Sequence, residues 1–266
     1  MSLRFNEADL IEFAKTVELT ASKILDGLHE SRRGGEGLEF HSSSPYALGE
    51  DIRRIDWKRM ASSDRVFVRR FDREEKTSWS ILLDSSPSMD YGEKKVQAHL
   101  WVGVISFLSK CWGDKFRVLP EAYQPLEEVF EGLVHSRLGI LPDFFERIEP
   151  EPESRLLIIS DFFQDPSFWE HCLKIWRDHY REIHFIQILD QKEKFFEFKD
   201  VIRFEDLESS SRLVLDSGVV KKRYQSEFER HQNEVRRLLQ QNGVFFESVA
   251  GMQTIELQIQ EFFESL

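Results

Sequence analysis

The sequence predicts an α/β protein with a mainly parallel central sheet covered by helices on both faces. Three observations carry this. Short runs with apolar centres recur at Ser78–Asp84, Arg155–Asp161 and Glu182–Asp190, as expected of strands buried on both sides. Longer segments of helical period separate them, which is the alternation of a parallel sheet with crossover helices. Each run also ends in an acid, Asp84, Asp161 or Asp190, and ligands of open α/β sheets bind beyond the carboxyl ends of the strands.

Taken in order, residues 7–28 read as an opening helix with Leu10, Phe13, Ala14, Val17, Leu25 and Leu28 at loose helical spacing, fraying near Gly27. The stretch from Ser31 to Asp51 holds Gly34, Gly35, Gly37 and Pro45 and cannot continue a helix. Leu38, Phe40, Tyr46 and Leu48 mark it as an ordered loop. Residues 65–72 form a strand that the turn at 74–77 leads into an antiparallel partner at 78–84.

A helix at 93–112 carries Val96, Leu100, Val104, Phe107, Leu108 and Cys111 on its apolar face, with Gly113 as its left-handed cap. Residues 115–120 are a strand and 140–148 a helix. The helix after the second apolar run covers 167–180. Two short strands fall within 200–215, and 218–241 is a long amphipathic helix with Val220, Tyr224, Phe228, Val235 and Leu238 or Leu239 on one face. Residues 244–249 are a last strand, and Thr254 caps a terminal helix. Residues 1–77 thus form an N-terminal helix and Gly/Arg-rich extension, and 78–266 an α/β domain, the two making one unit.

The composition excludes several function classes. The 266 residues are 41% hydrophobic and include 23 Phe, enough for a sizeable core. Apolar stretches are strand-length, short of the ~20 residues of a membrane span, and no signal-peptide hydrophobic region opens the chain. A cytoplasmic protein is expected. Cys111 and Cys172 read as two lone buried thiols. The net charge of −12 argues against nucleic acid as a partner.

Against that acidic background, residues 52–73 contain eight Lys/Arg and three Asp. Arg53, Arg54, Trp57, Lys58, Arg59, Arg69 and Arg70 therefore read as a docking surface for an acidic partner; alternatively Arg53, Arg54, Lys58 and Arg59 pair with Glu50, Asp51 and Asp56 on a solvated face, with Ile55 and Trp57 packing against the body.

The stretch "LLDSSPSM" packs Asp84, Ser86 and Ser88 directly after an apolar strand. With Asp161 on a neighbouring strand, these are hard oxygen ligands suited to Mg²⁺ or Mn²⁺. The same residue types are common at strand ends and helix starts, where they satisfy free backbone N–H groups. Asp190 reads as a turn residue. The eight histidines show no metal spacing, His171 and His179 being helix-surface residues, and no G-x-S-x-G, H-E-x-x-H or P-loop is present.

The segments "SRRGGEGLEF", "YALGEDIRRIDWKRMASSDRVFVRRFDREE" and "LLDSSPSM" together resemble the MoxR-associated von Willebrand factor A-like family, catalogued as domain of unknown function 58. The likeness is dense from Ser31 to Met89 and continues through "IISDFF", "ILDQKEKFFEF" and the helix from Ser217 to Asn242. It implies a von Willebrand factor A-like fold and a metal-ion-dependent adhesion site. Asp84, Ser86 and Ser88 would come from the first loop of that site and Asp161 from the third, with a partner's carboxylate completing the metal shell. The second loop, which supplies a Thr in the family, reads HSRLGILPDFF here, and Ser136 is its nearest hydroxyl. The usual G-D-D is Gly49-Glu50-Asp51.

The resemblance further implies work alongside a MoxR-type AAA+ ATPase in maturing a client protein complex. A non-enzymatic interaction module is the expectation that follows. Two others stand beside it: Mg²⁺-dependent phosphoryl transfer using Asp84, and a purely structural domain in which Asp84 and Asp161 hold loops. Phosphotransferases of the former kind place a second acid two residues after the first, where this chain has Ser86.

Overall fold

The structure, a computed structural model, describes residues 7–34, 42–45, 67–70, 77–121, 123–135, 137–197, 201–205, 212–251 and 255–266. Helix α1 runs from Glu7 to Gly34, past the end expected near Leu28. A glycine inside a helix costs only about 1 kcal/mol relative to Ala, and Gly27 does not stop it. The chain divides into two units, Leu25–Lys76 and the combination of Met1–Ile24 with Thr77–Leu266.

In the smaller unit β1 (Ser42–Pro45) and β2 (Phe67–Arg70) pair antiparallel, with Ser43 opposite Arg69. This corrects the expected pairing of 65–72 with 78–84. The latter strand, β3 (Ser78–Leu83), has both edges occupied by parallel neighbours. Its near-continuous apolar run suits that central position, because Trp79, Ile81, Leu82 and Leu83 all find cover.

The larger unit continues with α2 (Lys94–Trp112), β4 (Lys115–Val118), α3 (Leu126–Val134), β5 (Arg155–Ser160), α4 (Pro166–Trp176) and β6 (Glu182–Leu189). Then come α5 (Gln191–Phe195), β7 (Val201–Glu205), β8 (Arg212–Asp216), α6 (Ser217–Gln241), β9 (Phe245–Ala250) and α7 (Ile255–Glu264). The five strands of the main sheet lie in the order β4-β3-β5-β6-β9, all parallel. As expected, two short strands occupy the 200–215 region, where β7 and β8 form an antiparallel pair. Thr254, the expected cap of α7, lies outside the described residues.

Strand periodicity distributes the core over both faces. Leu82, Leu156, Ile158 and Phe185 pack with Trp169 and Trp176 of α4 and Val235 and Leu239 of α6. On the other face Trp79 and His184 meet Phe262 of α7, which also meets Trp101 of α2 at 5.9 Å between ring centroids. Phe13 of α1 packs edge-on against Phe130 of α3. Gly113 closes α2 in the left-handed conformation, φ 79°, as its sequence position implied.

Other expectations change. On α2 the buried positions include Leu100, Trp101, Val104, Ile105 and Leu108, while Val96 is 58% exposed. Cys111 is exposed with the whole last turn, Lys110 to Gly113, and only Cys172 is buried. Residues 142–147 form a 3₁₀ helix instead of an α-helix. Helix α3, introduced by Pro125, had no counterpart in the sequence reading. Among the described residues no helix is long and apolar enough to cross a membrane.

Candidate functional site

The chain crosses from one side of β3 to the other, because β4 and β5 flank it. The loops after β3 and β5 therefore diverge and leave a crevice at the carboxyl end of the sheet, the place where open α/β sheets bind ligands. Asp84 follows β3 immediately. Its N–H bonds Ile159 O at 2.9 Å, and the next N–H, of Ser85, bonds Ile140 O at 3.1 Å. The backbone that carries the acid is thus fixed by two neighbouring segments.

Asp84 is 2% exposed. Its Oδ1 accepts the Ser86 N–H at 2.7 Å and its Oδ2 the Ser160 hydroxyl at 2.5 Å. Burial pushes its pKa up to about 6. The hydrogen bonds from Ser160 and Ser86 oppose the rise, and the nearby Asp161 charge adds to it. Ser86 is buried, and its Oγ shares a hydrogen bond with the half-buried Ser88 Oγ at 3.0 Å. Buried Met89 anchors the 3₁₀ turn Pro87–Asp90 beyond them. A cavity of about 230 Å³ opens on this loop, lined by Asp84, Ser86, Met89, Asp90, His99 and Leu138 among others. Burial, with Lys95 nearby, lowers the His99 imidazole to about 4, so a neutral ring faces the cavity at pH 7.

The β3–β5 register places Leu83 opposite Ile159, and its continuation sets Ser160 beside Asp84. Asp161 comes one residue later, and its fully buried carboxylate turns to α2. There Lys94 Nζ lies 3.0 Å from Asp161 Oδ2 and 3.1 Å from Glu193 Oε1. Lys94 is itself 0% exposed. The Phe163 and Tyr91 rings flank the ammonium, with centroids at 5.4 and 5.8 Å.

Phe162, between Asp161 and Phe163, adopts φ 57°. Its ring is buried 4.6 Å from that of Trp169 and stacks on Phe185 at 4.9 Å. Its N–H donates to Ser160 Oγ at 3.1 Å, and its carbonyl accepts from His231 Nε2 at 2.7 Å. Asp190 is the N-cap of α5 and forms a capping box with Glu193. Gly92, at φ 59°, is needed there because a Cβ would lie 2.0 Å from Asp190 Oδ2.

Of the residues singled out in the sequence, Asp84, Ser86 and Ser88 come together in one loop, and Asp161 joins the same rim with a lysine as its partner. Ser136, Arg53, Arg54, Trp57, Lys58 and Arg59 lie outside the described residues. Arg69 and Arg70 belong to β2 in the smaller unit. Sequence reasoning missed three participants. Ser160 hides as the last residue of an apolar strand. Lys94 is in helical phase with buried Ala98, Trp101 and Ile105, a signal that its charge concealed. Glu193 follows Asp190 by three, the spacing of a capping box.

The donors fit a hard divalent cation in kind: one buried carboxylate and two hydroxyls beside a polar cavity. Among the described residues no three His, Cys, Asp or Glu side chains converge as a metal site, so such an ion would depend on the serine hydroxyls.

Comparison with known proteins bears on the family. Residues 42–127 match the family described as "Protein of unknown function DUF58". That is the family indicated by the sequence motifs. Uncharacterized proteins of Mycobacterium tuberculosis and Mycobacterium bovis are each 36% identical over 115 residues, covering 40% of this chain and 36% of the relative. The match thus spans just over a third of those relatives' length. The crystal structure of the conserved hypothetical protein BatB from Bacteroides thetaiotaomicron aligns with 71% of this chain and 98% of its own, at 9% identity and TM-score 0.38. The five-stranded parallel sheet with helices on both faces agrees with a von Willebrand factor A-like α/β fold.

Proposed function

We propose that this chain is a non-enzymatic protein-interaction module whose carboxyl-rim site works in the manner of a metal-ion-dependent adhesion site. Asp84, Ser86 and Ser88 would hold Mg²⁺ or Mn²⁺, Asp161 would contribute from the second strand, and an acidic side chain of a partner would complete the shell. The observation that carries this reading is the buried Asp84 carboxylate, which lines a cavity together with Ser86, whose hydroxyl lies 3.0 Å from that of Ser88. A carboxylate with raised proton affinity gains from a cation placed against it. Both Asp84 oxygens accept hydrogen bonds from the protein, which supports a ligand role over a nucleophilic one.

By family resemblance the partner is a MoxR-type AAA+ ATPase, acting with this chain in the maturation of a client complex. The basic residues Arg53, Arg54, Lys58, Arg59, Arg69 and Arg70, with Trp57 among them, would supply a second contact, mainly electrostatic. The test is capture of the cognate ATPase by wild type and by Asp84→Ala, with Mg²⁺ and with EDTA. Metal-dependent capture lost in the variant is expected; equal capture in all four conditions would sink the metal-bridged reading.

A further inference from the structure

We propose that Lys94 is a built-in cation of this site: its ammonium competes with a divalent ion for Asp161, so metal loading requires Lys94 to release that carboxylate. The inference rests on reading Asp84, Ser86 and Ser88 as a cation site and adds what governs its occupancy.

Lys94 is an unusual lysine. It is fully buried, in contrast to its neighbour Lys95, which pairs at the surface with Asp90. It is also the first residue of α2, the end of a helix where the macrodipole disfavours a positive charge. Burial and dipole both oppose an ammonium there, and only specific compensation holds it in place. That compensation comes from the rim: Asp161 at 3.0 Å, Glu193 at 3.1 Å and the faces of Phe163 and Tyr91. The two carboxylates come from the segments that follow β5 and β6, so one ammonium ties together the ends of two adjacent strands.

The consequence for a metal follows from charge. Asp161 is the acid that the second strand offers, and it already has a cation in contact. A divalent ion drawing on the same carboxylate would sit close to the ammonium with like charge and little water between to screen it. The two cations are therefore alternatives. The resident one has no association entropy to lose, because it is part of the chain. Asp84 and Ser86 line the neighbouring cavity.

Calorimetric titration of Mn²⁺ into the full chain tests this, using wild type, Lys94→Met and the charge-balanced pair Lys94→Met with Glu193→Gln, each with and without Asp84→Ala. Circular dichroism checks folding, and the charge-balanced pair carries the test should Lys94→Met alone not fold. The expected result is Mn²⁺ binding at least tenfold tighter once Lys94 is removed, at one ion per chain, and abolished by Asp84→Ala. Affinity equal to wild type or weaker in the folded Lys94 variants, still abolished by Asp84→Ala, overturns the competition and leaves the cation site standing. Absence of Mn²⁺ binding in every form overturns the competition and the cation site together.

Discussion

Replacing Lys94 with Met tests the buried ion pairs by stability alone, without any metal. The substitution keeps the stem of the side chain and deletes the ammonium. It leaves Asp161, which has no solvent-exposed surface, without its counter-ion, and Glu193 without its partner at 3.1 Å. Removing one partner of a buried pair costs about 3–5 kcal/mol. Relief of the unfavourable position at the positive end of α2 returns about 0.3–1 kcal/mol. The net loss is then roughly 2–5 kcal/mol, and at about 2–4 °C per kcal/mol for a chain of this size the melting temperature falls by about 4–20 °C. The assay is urea unfolding at pH 7.5 in EDTA, run also on Asp161→Asn and on the double variant. Because Asn needs no counter-ion, the double variant should lose less than the sum of the singles, with a coupling of about 1–3 kcal/mol. A loss below about 1 kcal/mol for Lys94→Met, or coupling near zero, would refute the ion-pair argument.

Other expectations follow from the same structure. His184 is buried against Trp79, Phe245 and Phe262, and burial lowers its pKa to about 4. The unfolded chain therefore takes up a proton below about pH 6.5 that the fold refuses, and stability falls between there and pH 4 by about 2–3 kcal/mol; His184→Met should flatten that limb in a pH series of urea melts. Glu247 on β9 is the opposite case, since burial first and Glu261 second raise it to about 7. Its contribution is present below about pH 4.5 and lost as pH rises through 7, so Glu247→Gln should be more stable than wild type at pH 8 by about 1–2 kcal/mol, allowing for its partial exposure. A thermal melt at that pH showing no gain would count against this. Gly92→Ala and Gly243→Ala both force a left-handed alanine, at about 1–2 kcal/mol, but a Cβ at 243 meets nothing within 4 Å while one at 92 strikes Asp190. Gly92→Ala should therefore cost at least twice as much in denaturant unfolding. From the sequence and the function proposed above, glutamate at both Arg53 and Arg54 should weaken capture of the proposed ATPase partner and reduce its dependence on salt, as read in a pull-down over an ionic-strength series.

The parts of the fold legible in the sequence were those fixed by burial on both sides. The runs forming β3, β5 and β6 could be read because burial on both sides fills most of their positions with apolar side chains, and their terminal acids located the rim. Pairing partners were less legible. Residues 67–70 and 78–83 looked like hairpin neighbours by proximity, yet β3 takes parallel partners contributed by much later segments. Periodicity on α2 misled at Val96 and Cys111 because a stripe shows which side is apolar, not how far along the helix its cover extends. Within the site, Asp84, Ser86 and Ser88 were legible as a contiguous motif. Lys94 was not, because a lysine on an apolar stripe looks like an exception to the pattern until its partners are known, and its two carboxylates come from the segments that follow β5 and β6.

Phe162 gives the rim a property of a different kind. A left-handed turn is unfavourable for a residue with a side chain and persists only when its surroundings over-determine it. Here the surroundings are the ring's seat against Trp169 and Phe185 and the bonds to Ser160 and His231. To swing Asp161 away from its present direction, the chain must draw an aromatic side chain out of the core. The loop that presents this acid is thus rigid before any partner arrives. In the binding role proposed above, association would sacrifice little loop entropy, and selectivity would rest on fit to a fixed template: a partner group of the wrong length or shape would meet a surface that does not remould itself around it.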